Sequence, residues 1–258
     1  MKFNQIKLMF CFLAMMISPA LVFAADNQQQ QFELANKLYD KGQYKQAVEA
    51  YNQILGAGYQ SASLYFNLGN AYYKDGEIPE ALLNYEKARR LAPGDDDINF
   101  NIRVANSKTV DKIEDAPEFF LSKWWKGFIL KYSADGLATT AIILAFIGSA
   151  LLIWYFFAMA GGVKKFAFFS SLFFFFVAIC VIVIAASQVN YFENNKQAIV
   201  FTSSVDVKTS PADAVSTAFV LHDGTKVNVL GSSGGGWLKI KLANGNEGWI
   251  KTKDVKEI

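Results

Sequence analysis

Histidines, cysteines and clustered acids are the residue types from which catalytic and metal sites are built, and this chain is poor in all three. Its one histidine, His222, stands beside Asp223-Gly224 in an expected turn, with no nucleophile or second ligand near it in sequence. A lone loop histidine of that kind reads as a solvated surface residue. The run Asp95-Asp96-Asp97 carries enough charge to attract a divalent ion. A helix start explains it more simply, because unpaired backbone N–H groups and the macrodipole favour negative charge there. Of the two cysteines, Cys11 and Cys180, the first lies in an N-terminal apolar run and the second in an internal apolar stretch. Neither a disulfide nor a cysteine metal site is therefore expected. Glycine-rich phosphate loops, Cys/His metal spacing and Ser-His-Asp arrangements are absent from the sequence. One histidine is also too few for haem handling. No catalysis, cofactor or metal is expected, which leaves binding as the class of function.

The elements that would carry a binding surface begin with a leader. Lys2 and Lys7 precede an apolar run from Leu8 to Leu21, and Val22-Phe23-Ala24 supplies small residues for cleavage before Ala25, so residues 1–24 read as a secretory signal peptide. An uncleaved anchor is the alternative, and both readings put the following segment outside. Cys11 lacks the preceding small residues of a lipoprotein signal. Of 25 basic residues the leader holds two, and the remaining 23 balance 23 acidic ones, which argues against nucleic acid as a partner. Hydrophobic residues make up 52% of the chain and aromatics 15%, with 23 phenylalanines concentrated around Phe166 to Phe176. Such clustering marks a segment solvated by lipid.

A polar linker is expected over 26–31, followed by a stretch that repeats itself. Leu34, Ala35, Gly42, Ala47 and Tyr51 recur 34 residues later as Leu68, Gly69, Gly76, Ala81 and Tyr85. Gly69 and Ala81 are small where two helices would cross closely, Tyr72 and Tyr85 fill wider gaps, and Gly76 allows the turn between them. The second copy adds Tyr72, Ala88 and Pro93 and resembles the tetratricopeptide repeat. The first copy departs from the pattern at Leu38, Ile54 and Tyr59. Ile98, Ile102 and Ala105 follow the acidic run at helical spacing, which predicts a capping helix over 96–107 and a repeat module over 28–112. Two repeats and a cap are near the minimum for a stable stack, so the module is expected to need a partner or a neighbouring helix to be fully ordered. The resemblance implies a concave face that binds extended protein segments. Carried over by position, that face comprises Asn36, Tyr39, Asp40, Asn67, Asn70, Tyr73 and Lys74. The asparagines suit a peptide backbone or a terminal carboxylate. Basic residues of the family's carboxylate clamps are missing from the corresponding positions, which weighs against a carboxylate ligand.

Pro117 opens a segment, residues 117–131, in which Phe119, Phe120, Leu121, Trp124, Trp125, Phe128, Ile129 and Leu130 alternate with Lys123, Lys126 and Lys131. An amphipathic helix at a membrane surface has this composition. A helix packed on the repeat module would also need one apolar face, but the paired tryptophans favour the interface. Leu137 to Ala160 then holds 24 residues without a charge and Phe166 to Ala186 another 21. Each suffices for roughly 30 Å of hydrocarbon. Two transmembrane helices (137–160 and 166–187) joined by a tight cytoplasmic hairpin at 161–165 are expected, with both flanking domains on the outer side. Lys164 and Lys165 favour that orientation, Lys123, Lys126 and Lys131 weaken it, and the leader decides for export. No charge lies within the spans, so no ion pathway is expected.

Beyond residue 196 the apolar period becomes two: Val205 and Val207, Val227 and Val229, then Leu238, Ile240 and Leu242. Asn244-Gly245 signals a hairpin and Gly231 to Gly236 a flexible loop. With Ser210-Pro211, Gly224, Trp237 and Gly248-Trp249-Ile250, this antiparallel β domain (196–258) resembles bacterial SH3-like domains. Trp237 and Trp249 are candidates for its ligand face, with Trp249 also wanted by a small core. The fold class expected is thus a multidomain membrane protein: an α-helical tetratricopeptide solenoid, a two-helix transmembrane hairpin and a small all-β SH3-like barrel. This order of segments resembles the BatE family of Bacteroides aerotolerance operons. That resemblance implies a non-catalytic scaffold in an inner-membrane complex tied to stress, with von Willebrand factor A membrane proteins as partners. A cell-wall anchor or sensor that grips peptidoglycan through the SH3-like domain is the alternative.

Overall fold

The computed structural model describes residues 20–258 except Asp115. Most of the expected leader therefore lies outside the described residues, and its last five residues open the first helix. That helix, α1 (Ala20–Asp40), runs without a break through Asp26 to Gln31. The expected polar linker is helical, because glutamines are adequate helix formers and neither glycine nor proline interrupts them. Then follow α2 (Tyr44–Gly56), α3 (Ala62–Asp75), α4 (Ile78–Leu91) and α5 (Asp96–Asn106). The Ser61 hydroxyl caps α3 by accepting from Leu64 N–H, and α3 ends at Gly76, whose φ of 92° is a left-handed cap that any side chain would strain. Asp95 caps α5, its carboxylate accepting from Asp97 and Ile98 N–H at 3.0 and 3.1 Å. The acidic run is thus a helix start.

Two buried clusters organise the helices. Ala35, Ala47, Tyr51, Ile54, Leu64 and Leu68 fill the space between α1, α2 and α3. Ala81, Leu82, Tyr85, Ile98 and Ile102 do the same between α4 and α5. A Cβ on Gly69 would stand 2.6 Å from the Tyr85 ring, so the small residue marks a close crossing of α3 and α4.

Helix α6 (Phe120–Ile129) exposes Phe120, Leu121, Trp124 and Trp125 and buries Ile129. It is tied to the long apolar helices through Gln188. Gln188, itself 1% exposed, donates from Nε2 to the carbonyls of Ile129 and Tyr132, both at 2.7 Å. Helices α7 (Ala134–Phe157) and α8 (Gly161–Asn194) are long and apolar enough to cross a membrane. They pack as a hairpin through Ala141, Gly148, Ala167 and Ala178, with Ser171 Oγ donating to the Gly148 carbonyl at 2.9 Å. Their outer faces present Phe146, Phe156, Phe166, Phe169, Phe173 and Phe176. The turn is shorter and earlier than expected. It comprises residues 158–160, and residues 161–165 already belong to α8, which also extends past residue 187 to deliver the chain to the β domain.

That domain contains β1 (Gln197–Val200), β2 (Ser204–Lys208), β3 (Thr217–His222), β4 (Lys226–Ser233), β5 (Trp237–Lys241), β6 (Glu247–Lys251) and β7 (Val255–Glu257). All pairings are antiparallel, in the order β3-β2-β6-β5-β4-β1-β7. Inward residues Val200, Val207, Leu221, Val227, Leu238, Ile240 and Ile250 form one core. Register shifts at Val207/Lys208 and Val229/Gly231 add the local twist that curls the sheet around it. The second shift lets β4 continue through Gly231, Ser232 and Ser233, paired with Lys239, Leu238 and Trp237. The expected flexible loop therefore shrinks to the turn at residues 234–236.

The repeat module and the β domain are not independent. Ile199 of β1, with Phe201 and Ile258, packs into the cluster of α4 and α5. Beside it Glu86, 2% exposed, pairs with Lys226 of β4 at 2.9 Å and with Arg89 of its own helix.

Candidate functional site

Helices α1, α3 and α5 present one side to a shared furrow, and the spacing of 34 residues decides what stands there. Asn36 on α1 accepts at Oδ1 from the Tyr51 hydroxyl (2.6 Å) and from Asn67 Nδ2 (3.0 Å). One repeat later Asn70 accepts from the Tyr85 hydroxyl (2.8 Å) and from Asn101 Nδ2 (2.9 Å). The two triads are the same device, shifted by one repeat. Burial pushes the Tyr51 phenol up to about 12 and raises that of Tyr85 further, so both stay protonated and donate. With Oδ1 engaged twice, the Nδ2 groups of Asn36 and Asn70 remain available to a ligand.

Two open cavities, each of about 280 Å³, line up along this furrow. The first is bounded by Asn36, Tyr39, Asp40, Tyr51, Asn67 and Asn70. Tyr39, Asn70, Tyr73, Lys74, Tyr85, Asn101 and Val104 bound the second. Tyr39 and Asn70 belong to both. The structure thus brings all seven residues expected on the concave face into one groove. It adds Tyr51, Tyr85, Asn101 and Val104. Asn101 was legible in principle, since it follows Asn67 by one period. Asp40 and Lys74, also one period apart, give the groove opposite charges along its length.

The β domain offers a second candidate face. Trp237 pairs across the strands with Lys251, and Trp249 with Lys239, so all four share the outer surface of β5 and β6. Trp237 is nevertheless buried, at 7% exposure, with the Lys251 ammonium 5.4 Å from its ring centre. Trp249 is the half-exposed one, reversing the expectation that the core would claim it. The reason is parity: Gly248 and Ile250 point inward on β6, which turns Trp249 out.

His222 also departs from expectation. It ends β3 and meets the carboxylate of Asp111, which accepts from His222 N–H at 2.7 Å and lies 2.9 Å from its Nδ1. Thr225 Oγ1 donates to the same carboxylate at 2.7 Å. Burial, the largest single influence, works against ionisation of Asp111. The bonds from His222 and Thr225 together outweigh it and hold the carboxyl below its usual range. His222 is therefore an interdomain contact rather than a free surface residue.

Residues 32–96 match the family model of the tetratricopeptide repeat. A second family model, the bacterial SH3 domain, matches residues 203–256. No curated protein matches the chain. Both matched modules are of interaction type, the first suggesting protein partners and the second an envelope ligand. The second match begins after β1, the strand that packs on α4 within the first match.

Proposed function

We propose that this chain is a membrane-anchored, non-catalytic adaptor that takes an extended segment of a partner protein into the furrow of its repeats. The duplicated Tyr-Asn-Asn triad carries this reading, because it spends buried tyrosine hydroxyls on fixing carboxamides at the spacing of successive repeats. The Nδ2 groups of Asn36 and Asn70 can donate to a peptide backbone, and the Oδ1 atoms of Asn67 and Asn101 can accept from it, without reading its side chains. Asp40 and Lys74 then orient the segment. Helices α7 and α8 cross the inner membrane as a hairpin, residues 117–131 lie at the interface, and both soluble modules face outward after a leader at residues 1–24. The resemblance to the BatE family makes von Willebrand factor A membrane proteins the expected partners, in an envelope complex handling stress or oxygen.

Crosslinking in membranes from photoreactive groups at Asn70 and Tyr73, followed by mass spectrometry, tests the adaptor. Von Willebrand-type proteins are the expected products, and capture of wall fragments alone through the β domain would sink it. Orientation is checked separately with cysteines at Ser61 or Ser233 in a Cys180→Ser background. A reagent confined to the periplasm should label both in intact cells, and protection of both would reverse the topology. The half-exposed Trp249 between Lys239 and Lys251 favours one second reading, a wall anchor that stacks a sugar or peptide of peptidoglycan on that face.

A further inference from the structure

Among the described residues between α5 and α6 the chain has no regular secondary structure, yet three of them tie it to the β domain. Asp111 gives its carboxylate to the turn between β3 and β4, taking three bonds from His222 and Thr225. Ile113 packs on the core of the β domain. Ala116 N–H donates to the carbonyl of Ala243, in the β5–β6 hairpin, at 2.8 Å. Lys112 and Glu114 are exposed, with the Lys112 ammonium donating back to the Asn106 and Thr109 carbonyls, so the segment is a strap that turns Asp111 and Ile113 inward. The receiving surface is shaped for it. Gly224 has a φ of 79°, and a Cβ there would stand 2.7 Å from Thr109 of the same strap. Beneath the strap an open cavity of about 410 Å³ separates it from Arg89 and Lys226. The strap is thus held at points rather than packed along its length.

From this geometry we infer that the β domain is a receptor for an extended peptide with aspartate followed two positions later by an aliphatic residue, and that the strap is its internal ligand. The turn at residues 222–225 supplies a backbone N–H, a hydroxyl and a ring nitrogen to one short carboxylate. Glutamate, one methylene longer, would displace the rest of the segment. The core edge takes the aliphatic side chain, and the Ala243 carbonyl takes a backbone N–H further on. A strap tethered at both ends competes at an effective concentration in the millimolar range. A partner segment therefore binds only when it is present at a high local concentration or when the strap is drawn away. This does not depend on what the repeats bind.

The test uses the full chain in nanodiscs and a fluorescent peptide with the sequence of residues 108–117. The receptor is a variant in which residues 109–117 are replaced by a glycine-serine linker of equal length, with its fold checked by circular dichroism. Asp111→Ala in the otherwise unchanged chain serves as a second receptor should the replacement unfold. The peptide should bind either receptor at least tenfold more tightly than it binds the unaltered chain. Changing its aspartate to asparagine, or Thr225→Val in the receptor, should weaken binding at least fivefold. Equal binding to all chains, binding to none, or indifference to the aspartate overturns the inference. So does displacement of the peptide by muropeptides but not by its own unlabelled form.

Discussion

Glu86 is the most consequential single residue at the junction of the modules. Its carboxylate is 2% exposed and paired to Arg89 and Lys226, whose side chains are 29% and 31% exposed. Replacing it by alanine leaves two cations facing an apolar interior and removes the polar link from α4 to β4. The expected loss is about 2 kcal/mol, at the lower end for breaking a buried pair because both cations can turn to water. Thermal unfolding of Glu86→Ala in detergent should register it, and an unchanged midpoint would refute the role. Asp111 makes a prediction about pH. Its folded-state pKa is depressed, so the stability it contributes is present above the unfolded value of about 3.9 and disappears as pH falls through the lower folded value. Unfolding midpoints measured down through that acid range should fall more steeply for the unaltered chain than for Asp111→Asn. Parallel curves would mean that the carboxylate contributes nothing.

Among the elements, the strongest periodic signals matched the structure and the misjudged boundaries share a cause. The pattern of 34 residues set out the helices α2 to α5, because each small or aromatic signature residue answers a local packing need. Strand β3 gave no such signal: it exposes Thr217, Ala218 and Val220 and buries Leu221 alone. Its place follows from pairing with β2, a contact no local pattern announces. Helix α6 similarly owes its position to Gln188, which stands 59 residues away from Ile129 in sequence. Substituting Gln188→Leu removes both bonds to these carbonyls and frees the start of α7. Trp124 and Trp125 should then respond differently to quenchers placed at graded depth in the bilayer, while the β domain remains folded. An unaltered depth profile would show that the tryptophans, and not the glutamine, hold this helix.

On the scale of the whole molecule, the repeat stack was expected to need a partner or a neighbouring helix, and the structure sets the β domain against it instead. Ile199, Phe201 and Ile258 close the cluster that α4 and α5 leave open, and the strap, Glu86 and Lys226 surround that contact with polar bonds. The two candidate binding surfaces are consequently held in one frame. Ile199→Asp places a charge in this cluster and should cost more than about 3 kcal/mol. Limited proteolysis should then release the repeats from the β domain, with cleavage in the strap at rates at least tenfold above those of the unaltered chain. Release at the same rate would mean that the modules are joined by the chain alone.

By itself the sequence determined the order of modules, the helical repeats with their groove residues, the two lipid-length helices and the alternating β domain. Each of these is written in short-range periodicity, where one residue's environment is set by neighbours a turn, a strand or a repeat away. Trp249 turned outward and His222 bound to Asp111 were not written there, nor was the glutamate buried between modules. Those outcomes depend on which strand lies beside which helix, and pairings across 111 or 140 residues leave no periodic trace. Only the folded chain brings Asp111 to Thr225 and Glu86 to Lys226. The order of modules was therefore legible from local pattern, whereas the strap that occupies the β domain was decided by tertiary contact.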